Sequence, residues 1–342
     1  MQNRHALKEQ ISILVPCYNC ESYLEKCLQN LLNINLDKDK YLIICYNDGS
    51  VDKTSKILQV YRKKHSNIHI IDGKKNKGLP WARQQLLNET KTKYFYFVDS
   101  DDFVTQDGLA KIYDIALSTD ADIVLSKSYS YHVGRKPRIN WFCKHFSLKK
   151  SLIYYVNNNL FYLWNVLIKT DFYRTINLNH SHSASFAEDH LFLSVLFSFN
   201  PKTTFCIQPT YHYIAHNQSE MHNASKVFKR MVDNFKNFEQ ICEKVMSNIK
   251  EYPILCEALI NNAMYIVLMN VGMVFSYSWM GKKIRKNLDN IQIDECKEML
   301  RSIQFFIQNN HLKIKMPSSW WKRITAFLFV HKVIKQLKKN KF

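Results

Sequence analysis

The sequence predicts an α/β fold, in which a mostly parallel β-sheet carries helices on both faces and is followed by a mainly α-helical C-terminal domain. Two observations predict this. Short apolar runs alternate with segments of helical spacing through the first 125 residues, a pattern typical of parallel strands joined by helices. After His222 the pattern is helical almost to the end, with Pro253 and Pro317 as its only breaks.

The predicted elements follow one another in regular order up to residue 125. Strands are predicted at 11–16, 41–46, 68–71, 94–98 and 123–125, and helices at 21–32, 54–63, 79–87 and 109–117. The pattern is less regular beyond, with strands predicted at 129–138 and 205–213 and helices at 149–157 and 188–199. We therefore predict a first domain at 1–221, made of a regular half at 10–125 and a less regular half at 126–221, and a helical domain at 222–342.

Composition and charge restrict the class of protein. Of the 342 residues, 46% are apolar and 23% charged, which excludes wholesale disorder, and only seven are glycine, which excludes a collagen-like chain. The net charge is +19, of which residues 201–342 carry +12. Three partners suit such a charge: nucleic acid, an anionic membrane surface or a nucleotide-activated substrate. The opening residues lack an apolar core, so no secretory signal peptide is expected, and the nine cysteines are expected to be free thiols.

Polar clusters follow three of the predicted strands. They are Pro16-Cys17-Tyr18-Asn19, Asn47-Asp48-Gly49-Ser50 and Asp99-Ser100-Asp101-Asp102, and a fourth cluster, Glu188-Asp189, opens a helix. Ligands of open α/β sheets bind outside the carboxyl ends of the strands, so the first three clusters are expected to line one crevice.

The aspartate cluster at 99–102 suggests a divalent metal ion. Three carboxylates in four residues repel one another unless a cation or a proton compensates them. Mg²⁺ is usually held by one or two carboxylates together with substrate phosphates. The alternative is a helix start, where carboxylates are also favoured. The sequence has neither a G-x-G-x-x-G motif nor a phosphate-binding P-loop.

Taken in order, these motifs resemble family 2 of the inverting glycosyltransferases. The resemblance rests on SILVPCYN at 12–19, NDGS at 47–50, NKG at 76–78 with Ala82-Arg83, FVDSDD at 97–102 and ED at 188–189. It extends from residue 10 to about residue 220, and a fainter similarity is to the membrane-associated glycolipid synthases of mycoplasmas. It implies the GT-A fold, with a nucleotide-binding half at 10–125 and an acceptor half at 126–221, and transfer of a sugar with inversion from a nucleotide donor.

The resemblance also implies the roles of individual residues. The uracil of a UDP-sugar would be held by Pro16, Tyr18, Asp48 and Arg83. Asp99 would reach the ribose and the metal, and Asp101 would coordinate Mg²⁺ or Mn²⁺. Asp189 would be the general base, with Glu188 and Trp164 on the acceptor side. His216 and Ser219 would lie near the diphosphate, with His216 also a candidate metal ligand.

Two positions depart from the family pattern. Asn47 stands where many members carry an aspartate, and Ile214 stands where an arginine often faces the diphosphate. Without that arginine, the negative charge of the diphosphate would have to be neutralised by the metal, by His216 or by a nearby lysine.

Two segments bear on the membrane. The uncharged stretch 258–281 is long enough to span a bilayer, but its asparagines and serines favour a buried helix instead. Residues 317–342 contain seven Lys or Arg and no acid, and their apolar residues recur at roughly helical spacing. This is typical of an interfacial amphipathic helix, which predicts a cytoplasmic enzyme bound peripherally to the inner face of the cell membrane. A helix packed on its own domain with a solvated basic face remains the alternative.

The predicted function is a metal-dependent inverting transferase. It would move a hexose or N-acetylhexosamine from a UDP-sugar to a hydroxyl of a glycolipid or of an envelope polysaccharide acceptor. A retaining or hydrolytic enzyme would show a pair of carboxylates flanking the sugar. Glu188 and Asp189 could be mistaken for such a pair, but adjacent residues on a helix do not face each other. Two alternatives stay open: a basic nucleic-acid-binding protein, and an inactive relative that binds sugar nucleotides. A metal site built from His180, His182 and His190, and a zinc or redox site at Cys17 and Cys20, are disfavoured.

Overall fold

The protein is described here by a computed structural model. It describes residues 10–132, 138–139, 152–153, 155–156, 161–176, 178–180, 184–215, 226–272 and 288–310. The chain forms two compact units. Unit 1 comprises Met1–Leu148, Tyr162–Ser185 and Pro201–Asn217, and unit 2 comprises Lys149–Phe161, Phe186–Asn200 and Gln218–Phe342. The sequence suggests a single boundary near residue 222, whereas the two units interleave along the chain.

Unit 1 is built on a β-sheet with nine strands among the described residues. The strands are β1 (Ile11–Cys17), β2 (Tyr41–Asn47), β3 (Ile68–Asp72), β4 (Tyr94–Phe97), β5 (Phe103–Val104), β6 (Ile123–His132), β7 (Arg138–Ile139), β8 (Val166–Lys169) and β9 (Thr203–Ala215). Its helices are α1 (Leu24–Leu32), α2 (Thr54–Lys64), α3 (Leu79–Glu89), α4 (Gly108–Thr119) and α5 (Thr170–Ile176).

The sheet is mixed, with the order β3-β2-β1-β4-β8-β6-β9-β5, and β7 pairs with β6. β3, β2, β1 and β4 are parallel. β8 then runs antiparallel to both β4 and β6, while β6 and β9 are again parallel. The predicted fold class, a sheet with helices on both sides and a helical C-terminal region, is confirmed. Its parallel part is concentrated in the first half of unit 1.

The local sequence explains the elements that bury the core. In α1 the buried side chains recur at the spacing of one helical face: Leu24, Cys27, Leu28, Leu31 and Leu32. β1 is buried along its whole length, as expected of a strand covered on both faces of a sheet. The eight cysteines in the described residues are free and buried, as predicted.

Two strands are absent from the sequence prediction: β5, which has only two residues, and β8. β8 contains a run of only three apolar residues and leads without a break into α5, which begins at Thr170. So short a run does not distinguish a strand from a buried helix. Its partners, β4 and β6, lie far away along the chain, so no local signal indicates the pairing.

Unit 2 contains four long helices among the described residues. They are α6 (Glu188–Ser198), α7 (Val227–Met246), α8 (Pro253–Gly272) and α9 (Asn290–Asn309). α9 begins with a capping box, in which Asp289 and Gln292 exchange side-chain and backbone hydrogen bonds. Pro253–Val271, the one described helix that has the length and composition of a membrane span, is 67% buried inside the protein. The described part of the stretch 258–281 is therefore a largely buried helix, and residues 273–281 lie outside the described residues.

Candidate active site

The carboxyl ends of β1 and β2 bring two predicted nucleotide-binding residues, Tyr18 and Asp48, to neighbouring positions. Cys17 pairs with Asn47 in the parallel register, and the backbone N–H of Asp48 donates to the carbonyl of Cys17 at 2.8 Å. Pro16 lies within buried β1. Tyr18 follows directly and is 47% exposed, so its ring is accessible at the edge of the sheet.

Asp48 is buried and anchors the loop that precedes α3. Its carboxylate accepts hydrogen bonds from the backbone N–H of Lys77 at 3.0 Å and of Gly78 at 2.8 Å. Gly49 has a φ of +67°, and a Cβ there would lie 2.6 Å from the backbone of Lys75. Only glycine fits this approach. The NDGS motif thus holds loop 75–78 against the end of β2.

Asn47 explains the first departure from the family pattern. Its side-chain amide donates to the Asp72 carboxylate at 3.0 Å, and its oxygen accepts from the Ser50 N–H at 3.2 Å. An aspartate at position 47 would place two carboxylates against each other. The asparagine therefore matches the acidic residue at the end of β3.

Arg83 pairs with Asp99 inside unit 1. The Arg83 side chain is buried on α3, and its Nη2 lies 3.0 Å from Oδ1 of Asp99. Its guanidinium also lies 5.5 Å from the centre of the Phe97 ring. A buried guanidinium is stabilised by such a charge-assisted hydrogen bond. The structure thus brings together a predicted base-binding residue and the first aspartate of the cluster at 99–102.

Asp102 turns away from the other aspartates and into the protein. Only 1% of its surface is exposed. Its carboxylate accepts from the Tyr211 hydroxyl at 2.8 Å and from the backbone N–H of Ile214 at 2.7 Å. Burial raises the pKa of the Asp102 carboxyl well above its usual range, and the charges of Asp99 and Asp101 raise it further. The backbone N–H of Ile214, at the second position that departs from the family, contributes to this contact.

Asp99 and Asp101 remain as the metal candidates of the cluster. Both are partly exposed at the end of β4, two residues apart. Among the residues that the structure describes, no group of three or more His, Cys, Asp or Glu is placed to hold a metal ion. Two carboxylates fit Mg²⁺ or Mn²⁺ when substrate phosphates supply further oxygen ligands. The residues present therefore suit a metal that binds together with a diphosphate.

Trp164 is buried in an aromatic stack. It lies in a short 3₁₀-helix, Leu163–Asn165. Its ring stacks on Tyr162, Tyr211 and Tyr213, with centroid distances of 4.8, 4.7 and 5.7 Å. The more exposed ring of this stack is Tyr162, which sequence reasoning did not single out.

In unit 2, Glu188 and Asp189 form the first turn of α6. Asp189 is the only one of the eleven residues of this helix that is not buried. Its Oδ1 accepts from the backbone N–H of His190 at 2.9 Å. The positive end of the helix dipole favours an ionised carboxylate at this position.

The residue before α6 has an unusual backbone conformation that other residues hold in place. Ala187 has a φ of +57°, in the left-handed region. The Asn237 side-chain amide on α7 donates to the carbonyls of Phe186 and Ala187, and Asp233 accepts the Phe186 N–H. No motif in the sequence indicates these contacts, because Asp233 and Asn237 have the spacing of ordinary polar residues in an amphipathic helix.

His190 is a buried neutral histidine. Its Nε2 lies 2.9 Å from Oδ1 of Asn262, whose amide donates to the carbonyl of Val156. Because the amide nitrogen is engaged in this way, the oxygen of Asn262 faces the imidazole, which places the imidazole proton on Nε2. Burial lowers the pKa of His190 to about 4. His180 of unit 1 is also buried, and burial together with the charge of Arg83 lowers its pKa to about 3.

Several predicted positions lie outside the described residues. They are His216 and Ser219, His182, and the basic segment 317–342. Their predicted roles stay predictions.

Comparisons with known proteins agree with this architecture. The family model Glycosyl transferase family 2 matches residues 12–180. A processive diacylglycerol beta-glycosyltransferase of Mycoplasma genitalium is 34% identical over 185 residues, which cover 49% of this chain and 53% of that protein. The chain spans about half the length, or less, of the curated relatives that it matches.

Two solved structures share the fold. Residues 1–349 of S. aureus TarS, in complex with UDP-GlcNAc, superpose with a TM-score of 0.64 at 16% identity, covering 97% of this chain and 93% of that one. The mannosyltransferase PcManGT of Pyrobaculum calidifontis, in complex with GDP-Man and Mn²⁺, gives 0.55 at 12% identity, covering 97% and 88%. Ordered motifs, sheet topology and the family match lead to one conclusion: residues 12–180 of this chain form a glycosyl transferase family 2 domain.

Proposed function

We propose that this chain is a metal-dependent inverting glycosyltransferase. It transfers a hexose or N-acetylhexosamine from a UDP-sugar to a hydroxyl of a membrane-associated glycolipid or envelope polysaccharide. The observation that carries this proposal is the set of polar residues at neighbouring strand ends of unit 1. Asp48, Arg83, Asp99 and Asp101 follow or contact the ends of β2 and β4 within the family 2 domain.

The donor is proposed to bind at this edge of the sheet. Tyr18 offers an exposed aromatic face suited to a base. Asp48 and the buried Arg83 provide an acceptor and donors beside it. The UDP-GlcNAc bound to the TarS structure supports the choice of uridine.

A divalent cation is proposed to bind with the donor. Asp101 and Asp99 would hold Mn²⁺ or Mg²⁺, with the remaining ligands from the diphosphate. When bound, the ion acts as a Lewis acid that stabilises the negative charge developing on the leaving diphosphate. The Mn²⁺ in the PcManGT structure supports this assignment.

Asp189 is proposed to be the general base. The acceptor oxygen attacks the anomeric carbon from one face, the bond to the diphosphate oxygen breaks on the other, and the acceptor proton passes to the Asp189 carboxylate. The partly exposed position of Asp189 on an otherwise buried helix supports this role. One displacement with one base inverts the configuration at the anomeric carbon.

The acceptor is proposed to be presented at a membrane. The mycoplasmal relative is named for a diacylglycerol acceptor. Residues 317–342 carry seven cations, each contributing about 1 kcal/mol near an anionic leaflet. We expect the chain to float with phosphatidylglycerol vesicles and not with phosphatidylcholine vesicles. A chain ending at residue 316 should lose this binding; if it floats equally well, the membrane assignment is wrong.

UDP release tests the function directly. The chain is incubated with Mn²⁺ and each of UDP-glucose, UDP-galactose, UDP-GlcNAc and UDP-GalNAc, with vesicles containing diacylglycerol or glycolipid, or with soluble saccharides. We expect acceptor-dependent release with one donor. Binding of UDP with Mn²⁺ but no release with any acceptor would indicate an inactive relative. Indifference to UDP combined with strong duplex DNA binding would indicate the nucleic-acid alternative.

A further inference from the structure

We propose that Tyr211 and Asp102 are positioning residues for the metal-binding loop. This inference rests on the proposed function, in which Asp99 and Asp101 hold a divalent cation. It concerns Tyr211 and Asp102, to which the proposed function gives no role. All of them lie in unit 1.

The Tyr211 hydroxyl connects two points of the loop. It accepts a hydrogen bond from the backbone N–H of Asp99 at 3.1 Å and donates one to Oδ2 of Asp102 at 2.8 Å. The same hydroxyl therefore holds the first residue of the Asp-Ser-Asp-Asp sequence and its last residue. The loop is also closed by its own backbone, since the N–H of Asp102 donates to the carbonyl of Asp99 at 3.0 Å.

The other oxygen of Asp102 fixes the loop to the sheet. Oδ1 accepts from the backbone N–H of Ile214 at 2.7 Å. Both oxygens of one carboxylate are thus bound to β9, through the hydroxyl of Tyr211 and the backbone of Ile214. The loop after β4 is held by a strand more than 100 residues away in the sequence.

Packing alone does not account for this arrangement. Tyr211 is fully buried, and its ring stacks on Trp164 with a centroid distance of 4.7 Å. A phenylalanine would make the same stack. Burying a carboxylate and a phenol together is unfavourable unless they are hydrogen-bonded, so an apolar pair would serve packing better.

The contacts give two of the loop's carboxylates, Asp99 and Asp102, different partners. Asp99 faces Arg83, and Asp102 faces Tyr211 and Ile214. Asp102 is thereby withheld from the metal, and the backbone of Asp99 is held at a defined position relative to Asp101. Mg²⁺ and similar ions demand near-ideal octahedral geometry. A loop fixed in this way presents two carboxylates without reorganisation.

The test compares two tyrosines of β9 that both stack on Trp164. Tyr211→Phe keeps the ring and the net charge and removes only the hydroxyl, and Tyr213→Phe is the matched control. Asp102→Asn is a second variant, which keeps an oxygen for the Ile214 N–H. Mn²⁺ binding to each protein in saturating UDP is followed by electron paramagnetic resonance. UDP binding without metal and the melting temperature are measured in parallel.

We expect Tyr211→Phe and Asp102→Asn to bind Mn²⁺ about tenfold more weakly, the size typical of lost outer-shell contacts. UDP binding without metal should not change, and Tyr213→Phe should bind Mn²⁺ as the unsubstituted chain does. Mn²⁺ affinities within twofold of the unsubstituted chain in both variants would overturn the inference. If Mn²⁺ binding were weakened in Asp102→Asn but not in Tyr211→Phe, the cause would be the lost charge, and the inference would also be overturned. If the unsubstituted chain binds no Mn²⁺ with UDP, the proposed metal dependence itself fails.

Discussion

The strand-end loops of unit 1 and the start of α6 in unit 2 both present carboxylates, but different interactions hold them. In unit 1 three aspartates have partners on other elements: Asp48 binds loop 75–78, Asp99 pairs with Arg83, and Asp102 binds β9. In unit 2 Asp189 is placed by the packing of a whole helix, α6, whose ten remaining residues are all buried.

This difference predicts which property a substitution should change: stability, donor binding or turnover. Asp48 and Asp99 hold the fold as well as the proposed donor, so their replacement should change both stability and binding. Asp189 contributes little to packing, because it is the one residue of α6 that is not buried. Its replacement should change turnover alone.

The largest expected effect is that of Asp189→Asn. Loss of a general base typically lowers turnover by about 10²–10⁴-fold. UDP affinity and melting temperature should stay unchanged. Asp294→Asn, at an exposed residue of α9, is the control for charge. Steady-state UDP release checks the prediction, and unchanged turnover would exclude Asp189 as the base.

Asp101→Asn should act on donor binding as well as on turnover. A Lewis-acid metal contributes several kcal/mol to the transition state, so turnover should fall by about 10²-fold or more. Mn²⁺-dependent UDP affinity, measured by titration calorimetry, should fall with it. Asp107→Asn is the matched control, because that carboxylate is exposed and precedes α4. Equal losses in both variants would contradict a specific role for Asp101.

A pH titration of stability tests the buried core of unit 2. His190 has a pKa of about 4 when folded, against about 6.5 in the unfolded chain, so unfolding takes up a proton between these values. The contribution of the neutral His190 to the free energy of unfolding is therefore fully present above pH 6.5. As the pH falls towards 4, this contribution of roughly 3 kcal/mol is lost. His180 acts in the same direction.

Chemical denaturation from pH 7 to pH 4.5 measures this loss. His190→Gln should flatten the dependence, whereas His69→Gln, at an exposed ring of β3, should not. A dependence that stays equally steep in His190→Gln would show that the histidine is not buried in its neutral form.

The smallest expected effect is that of Asn47→Asp. It restores the residue that many family members carry, yet it would place a carboxylate against Asp72. Loss of the hydrogen bond to a charged partner should lower the free energy of unfolding by about 2 kcal/mol. The double variant Asn47→Asp with Asp72→Asn should recover most of it. A single variant as stable as the unsubstituted chain would contradict the paired arrangement.

Much of unit 1 is predictable from its sequence, because its signals are local. Apolar periodicity locates β1 to β4 and their helices to within a few residues. The rule for strand ends correctly brings Tyr18 and Asp48 to neighbouring positions. The roles of these residues in binding a donor stay predictions, since contacts with a ligand depend on the ligand.

Other features have no local signal. β8 is a four-residue strand whose partners are distant in sequence. The inward turn of Asp102 depends on Tyr211, and the left-handed Ala187 depends on Asn237. Each such contact joins residues about 50 to 110 positions apart, so the spacing of motifs along the chain does not reveal it.

The insertion of β8 between β4 and β6 has a consequence for biosynthesis. While residues up to Phe97 emerge from the ribosome, β4 has β1 on one side and an unpaired edge on the other. That edge stays open until Val166–Lys169 has been translated. A nascent or truncated chain that stops short of this point exposes hydrogen-bonding groups along a strand of four buried aromatic residues, the kind of edge at which chains aggregate.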